Sequence, residues 1–468
     1  MHDINTALPT FAGMLHALVS ADTICALATP NGIGAIALIR VSGKEAFKIV
    51  STCFSKSLLD RPSHTAHFGY FKAQDGTVID EVLITIFETG KSFTGEESVE
   101  LSCHASPFIQ QEILRTLVHS GCRMAEPGEF TLRAFSNGKL DLSQAEAVAD
   151  LIASQSANAH RIALNQLRGG FSSELNDLRE KLIHFASLIE LELDFAEEDV
   201  EFADRTQLFA LVDEVLRYVN RLAQSFELGN AIKHGVPVAI VGAPNTGKST
   251  LLNRLLGEER AIVSNIAGTT RDVIEETLNI EGIVFRLIDT AGIREGAEAI
   301  EAIGIERSKE KIKQATVVLC MADLSENQAI EDVLRWAETL RHEEPGKHIL
   351  VIGNKADKVE SKDFPGVLVI SAKANVGIEA LKSELVNRVL GDFNLANDTI
   401  VSSMRHYEAL IRTAAALQLA KQNMEQGVTG DFVAMDIRQA MYELGSITGA
   451  ISTEDLLGNI FSKFCIGK

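Results

Sequence analysis

The sequence predicts a multi-domain protein: a small α+β N-terminal domain, an all-α helical domain, and an α/β domain inserted into the helical one. Three observations predict it. Apolar spacing changes from short mixed runs to a helical period near Leu140. A glycine-rich loop lies between the apolar run Val238–Val241 and a helical stretch at Leu251–Leu256. Helical spacing then resumes near Thr399. An α/β segment between two helical ones reads most simply as a guest domain, which a host tolerates when the guest's ends lie close together. The expected boundaries are an extension over 1–20, the α+β domain over 21–137, the helical domain over 138–233 and 397–468, and the inserted domain over 234–396.

The N-terminal domain is built from short mixed runs. Thr23–Ala28 and Ala35–Val41 read as strands separated by a turn at Pro30, Asn31 and Gly32. Val82–Phe87 and Val99–Cys103 read as two more, and Phe108–His119 as a helix. Beyond Leu140, Leu142, Ala145, Val148 and Leu151 share one helical face, and Leu178, Leu182, Phe185, Ile189 and Leu193 share another. An acidic stretch from Glu190 to Asp204 reads as a solvated helix end, with a docking surface for a basic partner as the alternative. After the Gly391–Asn397 loop, Tyr407, Leu410, Ile411 and Ala414 are expected on one face.

Bulk properties narrow the function. At 468 residues and 46% hydrophobic content, the chain can fill two to four ordinary cores. It carries no uncharged apolar run of about 18 residues and no basic-then-apolar leader, so neither a membrane span nor a signal peptide is expected. The first twenty residues read as a loose extension or a misplaced start. Six cysteines without C-x-x-C or zinc spacing suit reduced thiols in a cytoplasm. A net charge of −20 opposes binding of nucleic acid by overall attraction, so an RNA substrate requires a local basic surface or a basic partner.

The chemistry concentrates in the inserted domain. Gly242-Ala243-Pro244-Asn245-Thr246-Gly247-Lys248-Ser249 is G-x-x-x-x-G-K-S between a strand and a helix. Its glycines let backbone N–H groups face phosphates, Lys248 reaches the β- and γ-phosphates, and Ser249, followed by Thr250 at the start of the helix, ligates Mg²⁺. Asp289-Thr290-Ala291-Gly292 follows the strand Val284–Ile288 at the position that holds Mg²⁺ through water. Upstream, Gly268-Thr269-Thr270-Arg271-Asp272 supplies a threonine able to close over the metal. Asn354-Lys355-Ala356-Asp357, after the strand Ile349–Ile352, selects the base. Asp357 accepts from guanine N1–H and N2–H₂, whereas adenine offers no donor there; charged hydrogen bonds contribute about 1.5–3 kcal/mol each. Ser371-Ala372-Lys373, after Val367–Ile370, backs the base. Ile293 occupies the position of the water-orienting glutamine of many small GTPases, so the water falls to Glu295, Glu298 or Glu301, and Asn245 can help hold a monovalent cation.

Three further groups of residues carry a narrower resemblance. They are Asp22-Thr23-Ile24 with Ala28-Thr29-Pro30, Gly34, Arg40 and Ser42-Gly43; Pro127-Gly128-Glu129-Phe130-Thr131 with Arg133-Ala134-Phe135, Asn137–Leu142 and Gln144–Ala147; and the terminal Phe464-Cys465-Ile466-Gly467-Lys468. From Asp22 onward the chain resembles the tRNA modification GTPase MnmE (TrmE) family. The resemblance implies a folate-binding, dimer-forming N-terminal domain, a helical domain and an inserted P-loop GTPase domain. It implies GTP hydrolysis coupled to addition of an aminomethyl-type group (carboxymethylaminomethyl) at C5 of a tRNA wobble uridine. The implied partners are a second copy of the chain, an FAD-containing MnmG (GidA) protein and the tRNA, with no membrane. The implied cofactors are GTP, Mg²⁺, K⁺ and a 5-formyl- or methylene-tetrahydrofolate. By matching position, Arg40, Glu100, Lys139 and Lys468 contact folate; Ser249 and Thr270 ligate Mg²⁺; Asn245, with backbone oxygens near Ser264, Ile266 and Thr269, holds K⁺; and Glu301 orients the water, with Lys248 and Thr270 completing the catalytic set. Two departures stand out: Cys103-His104-Ala105-Ser106 where the family has His-Gly-Gly, and Ser264 where threonine is common. Cys465 reads as a packed small residue, or else as a thiol near the folate. The competing class is a regulatory GTPase of ribosome assembly, which carries the same nucleotide motifs but an RNA-binding module or a second nucleotide domain in place of these flanks.

Overall fold

A computed structural model describes residues 22–194, 205–259, 276–288, 310–359, 364–395 and 398–467. The N-terminal domain is one six-stranded sheet: β1 (Thr23–Leu27), β2 (Ile36–Ser42), β3 (Thr65–Lys72), β4 (Val78–Phe87), β5 (Ser98–His104) and β6 (Cys122–Met124), in the order β3-β4-β5-β2-β1-β6. Neighbours are antiparallel except β1 with β6. Helices α1 (Ala46–Cys53) and α2 (Pro107–His119) add to one core that contains Ile39, Val41, Phe47, Phe71, Ile84, Leu101 and Leu117. Alternation in β2, β4 and β5 puts Ile39, Ile84 and Leu101 inward and leaves the opposite side chains on the other face.

A short helix, α3 (Glu129–Ser136), follows β6. Helical structure continues with α4 (Leu142–Ala153), α5 (Ala157–Leu167), α6 (Gly170–Asp194), α7 (Arg205–Gln224) and α8 (Phe226–His234). The inserted sheet comprises β7 (Val236–Gly242), β8 (Glu276–Ile280), β9 (Ile283–Leu287), β10 (Val317–Asp323), β11 (His348–Asn354) and β12 (Leu368–Val369), ordered β12-β11-β10-β7-β9-β8. All pairs are parallel except the β8–β9 hairpin. Around it lie α9 (Lys248–Glu259), α10 (Asn327–Glu343) and α11 (Ile378–Leu390), before α12 (Met404–Glu425), α13 (Gly430–Thr448) and α14 (Glu454–Phe461). The central strands β10 and β11 are buried on both faces and read as near-continuous apolar runs, as a covered parallel sheet requires.

The chain divides into two compact units. One comprises the chain up to Ala149 with 166–188 and 437–468; the other comprises 150–165 and 189–436. Within the second unit, α7 packs along α12, and the Lys421 ammonium donates to Asp213 at 2.6 Å. The entry and exit of the inserted sheet meet there as well. Val401 N–H donates to Ser225 Oγ at 3.0 Å, and the Phe226 and Tyr407 rings stack at 4.6 Å. Ile411, expected on the buried face of α12, is 44% exposed; the buried line runs through His406, Leu410, Ala414 and Leu417. The side chains of the acidic stretch Glu190–Asp204 lie outside the described residues. Among the described residues, no helix is long and apolar enough to cross a membrane.

Candidate active site

Strand β7 ends at Gly242, and the loop to α9 bends tightly. Gly242 (φ 154°) and Gly247 (φ 98°) have positive φ, and so does Asn245 (φ 64°). A Cβ on Gly242 would strike the Met321 carbonyl, and one on Gly247 would strike Asn354 Nδ2, so both positions exclude side chains. Lys248 Nζ donates to the carbonyls of Gly242 and Ala243, each at 2.8 Å, which lays its stem along the loop. Burial, helped by the like charge of Lys311, holds the Lys248 ammonium below its ordinary pKa. An anion beside it compensates that desolvation, which is what a phosphate supplies.

Asn354 joins two of the expected segments. At 3% exposure, its Nδ2 donates to Thr246 O at 2.8 Å and its Oδ1 accepts from Ala372 N at 3.0 Å. The phosphate loop and the Ser371-Ala372-Lys373 loop are thereby fixed to one side chain. Lys355 follows in a left-handed conformation (φ 68°, ψ 35°), with its ammonium 2.5 Å from Asp323 Oδ2. Burial raises the Asp323 pKa, but Lys355 and Ser325 outweigh it, and the carboxyl lies below its usual range. Asp357 is exposed, and the Ser371 hydroxyl, donating at 2.5 Å, holds its carboxyl below the usual range. An ionised acceptor therefore stands beside the loop that Asn354 anchors. Arg254 closes the arrangement by donating from Nε and Nη2 to the Ala372 and Lys373 carbonyls at 3.3 and 3.2 Å.

A second constellation lies in the N-terminal domain. Arg40 and Glu100 are cross-strand partners on β2 and β5, paired at 2.8 Å and each about a quarter exposed or less. The Arg40 guanidinium lies 5.4 Å from the Phe93 ring and 5.7 Å from the Phe130 ring. Lys139 Nζ donates to Gly90 O at 3.0 Å, so Arg40 and Lys139 flank the same 90–95 loop. Gly467 (φ 93°) packs so tightly on the Leu27 backbone that a Cβ would strike the Leu27 carbonyl. Leu27 pairs with Ile39, the neighbour of Arg40, and the 464–467 tail thus reaches the same corner. Gly128 N–H donates to Cys465 O at 3.4 Å, and Cys465 itself is exposed rather than packed.

The profile of the MnmE helical domain matches residues 142–465, and that of the GTP-binding protein TrmE N-terminus matches 23–139. This chain belongs to the MnmE family. It is similar to the tRNA modification GTPase MnmE of Cytophaga hutchinsonii, with 55% identity over 96% of this chain and 98% of that protein. The proteins of the same name from Christiangramia forsetii and Flavobacterium psychrophilum are 51% and 52% identical, each over 96% of this chain and 99% of its own length.

Several positions matched to the MnmE pattern lie outside the described residues: Ser264, Ile266, Thr269, Thr270, Asp289, Thr290, Ala291, Gly292, Glu301 and Lys468, with Ile293, Glu295 and Glu298. The structure gives roles to residues to which the sequence motifs assigned none. Arg254 and Asp323 secure the base-side loops from distant parts of the sequence. In the N-terminal domain, Arg133 and Glu129, 5% and 1% exposed, form a buried ionic cluster with Asp22, Glu96 and Arg123 beneath the Gly128 turn. An acid and a base four residues apart on an otherwise apolar short helix is the sequence signal for that cluster.

Proposed function

We propose that this MnmE-family chain binds and hydrolyses GTP as one component of a tRNA-modifying complex. With an FAD-containing partner of the MnmG (GidA) type, it serves the addition of a carboxymethylaminomethyl-type group at C5 of the wobble uridine. A tetrahydrofolate supplies the one carbon. The observation that carries the nucleotide half is Asn354, which unites the phosphate loop and the base-side loop next to the ionised Asp357. The tRNA half rests on the names of relatives that span nearly the whole chain.

In this reading Lys248 exchanges the Gly242 and Ala243 carbonyls for the β- and γ-phosphate oxygens. Ser249 and Thr270 would hold Mg²⁺, which neutralises phosphate charge. Asn245, with backbone oxygens near Ser264, Ile266 and Thr269, would hold K⁺, which places positive charge where an arginine finger acts elsewhere. The exposed Asn245 side chain makes no hydrogen bond among the described residues, which leaves a neutral oxygen for such an ion. Glu301 orients the attacking water. The Arg40–Glu100–Lys139 corner, with Phe93 and Phe130, combines cations, a carboxylate and aromatic faces, which suits a pterin with a carboxylate tail. A homodimer is supported by the uncovered sheet face, where Ile36, Phe68, Tyr70 and Leu83 are 69, 54, 43 and 45% exposed. Six free cysteines suit a cytoplasmic setting.

The test is mass spectrometry of tRNA nucleosides from a deletion strain carrying the wild-type chain or Lys248→Ala. Wobble-uridine modification should return with the wild type alone. Unchanged wobble uridines in the deletion strain would return the reading to a ribosome-assembly GTPase.

A further inference from the structure

The β8–β9 hairpin turns in two residues, Glu281 (φ 50°) and Gly282 (φ 78°), between the paired Ile280 and Ile283. Two successive positive φ values match the twist of the flanking strands and make a tight, well-defined tip. That tip is docked. Asn158 Nδ2, in the first turn of α5, donates to Glu281 O at 3.0 Å. A Cβ on Gly282 would lie 2.9 Å from Asn158 Nδ2 and 3.6 Å from Ala157 Cβ, so a side chain there, already strained at φ 78°, would push the Asn158 amide aside. Arg161 Nη2 holds Asn158 Oδ1 at 3.3 Å, and Ser156 Oγ accepts from Ala159 N–H at 3.2 Å, fixing the start of the helix.

The other end of the hairpin lies beside the strand that leads into the phosphate loop. β9 pairs with β7 at Phe285, Arg286 and Leu287, and β7 ends in the phosphate loop. In sequence, β9 runs into Asp289, and β8 follows the stretch that holds Thr269 and Thr270. Five cross-strand pairs between β8 and β9 make the hairpin a stiff arm that runs from beside β7, the strand leading into the phosphate loop, to α5. On its apolar side α5 packs Ala159 and Ile162 against Leu228, Ile232 and Ile400. An open cleft of about 300 Å³ beside Ala159, Ile162, Ala163, Ile232 and Ser402 leaves one flank of α5 without a packed neighbour. A helix with such a gap shifts at lower cost than one packed on every side.

We propose that Asn158 is a positioning residue that couples the nucleotide site to the helical body, its hydrogen bond to the Glu281 carbonyl transmitting hairpin displacement into α5. The inference rests on the GTPase reading and adds a mechanical output to it. Asn158→Asp tests it in the full chain. The carboxylate keeps the shape and the Arg161 contact, repels the Glu281 carbonyl, and as an acid in the first helical turn does not weaken α5 itself. Amide hydrogen exchange over residues 157–167 is followed with GDP and with a non-hydrolysable GTP analogue, alongside nucleotide affinity, GTP turnover and the melting transition. The wild type should show exchange that depends on the nucleotide. The variant should lose that difference and change turnover while it keeps wild-type affinity and melting. A variant that retains the full difference, or a wild type that shows none despite binding both nucleotides, overturns the coupling. Failure of either nucleotide to bind overturns the GTPase reading instead.

Discussion

Single side chains decide the nucleotide site, and Asn354 ranks first among them. Asn354→Ala leaves Thr246 O and Ala372 N without their partner in a buried setting. At about 1–3 kcal/mol, that loss should weaken GTP by roughly 5- to 150-fold, read by calorimetry. Asp357→Asn should lower GTP affinity and raise that for xanthosine triphosphate, because xanthine presents an acceptor where guanine presents its amino group; equal binding of both, as before, would remove Asp357 from base reading. His348 makes the protein sensitive to acid. Burial, with Arg388 nearby, holds its imidazole below the ordinary 6.5. As pH falls below about 6.5 the unfolded chain takes up a proton that the folded chain refuses, so stability declines from there down to the folded pKa. His348→Gln should flatten the decline of the melting profile below about pH 6.5. The tetrapeptides of this site were legible because each is a run of consecutive residues with one job. Arg254 and Asp323 were not, because they meet Ala372 and Lys355 only through the fold.

At the scale of elements, legibility follows contrast between faces. The expected strands Thr23–Ala28, Ala35–Val41, Val82–Phe87 and Val99–Cys103 fall on β1, β2, β4 and β5, where one face is clearly apolar. β3 carries no legible signal because its inward side holds Thr65, His67 and Gly69 beside Phe71 while Phe68 and Tyr70 point outward, which hides the apolar alternation. β6, three residues long, has no period to show. The expected strand Val367–Ile370 shrinks to Leu368–Val369. α3 is held by charge as well as by the buried Phe130, Leu132 and Ala134. Arg133→Ala would leave Glu129, 1% exposed, with only Arg123 and the Glu126 N–H facing it. Breaking a buried pair from one side costs about 3–5 kcal/mol, so the N-terminal domain should melt markedly earlier in calorimetry.

At the scale of the whole molecule, the inserted arrangement was legible from the interruption of helical periodicity alone, since Ser225 and Val401, far apart in sequence, do meet. The proposal that a second copy completes the catalytic site rests on the family resemblance, whereas a cation beside Asn245 was already suggested by the phosphate-loop sequence. With K⁺ in the arginine-finger role, GTP turnover should be faster in K⁺ than in Na⁺ and should rise with protein concentration, as two inserted domains must meet. Asn245→Ala should abolish the K⁺ advantage and leave GTP binding nearly intact. Equal turnover in the two salts at several protein concentrations would discard this account.

The pairing of α7 with α12 also has a consequence for biosynthesis. α7 ends at Gln224 and its partner begins at Met404, about 180 residues later. At a ribosomal rate of about 5–20 residues per second, the apolar stripe Leu208, Val212, Val215 and Val219 waits about 9–36 s for its cover, while the intervening sheet is free to fold first. For that interval the nascent chain displays a greasy helix to the crowded cell, which makes it a natural client of ribosome-associated chaperones.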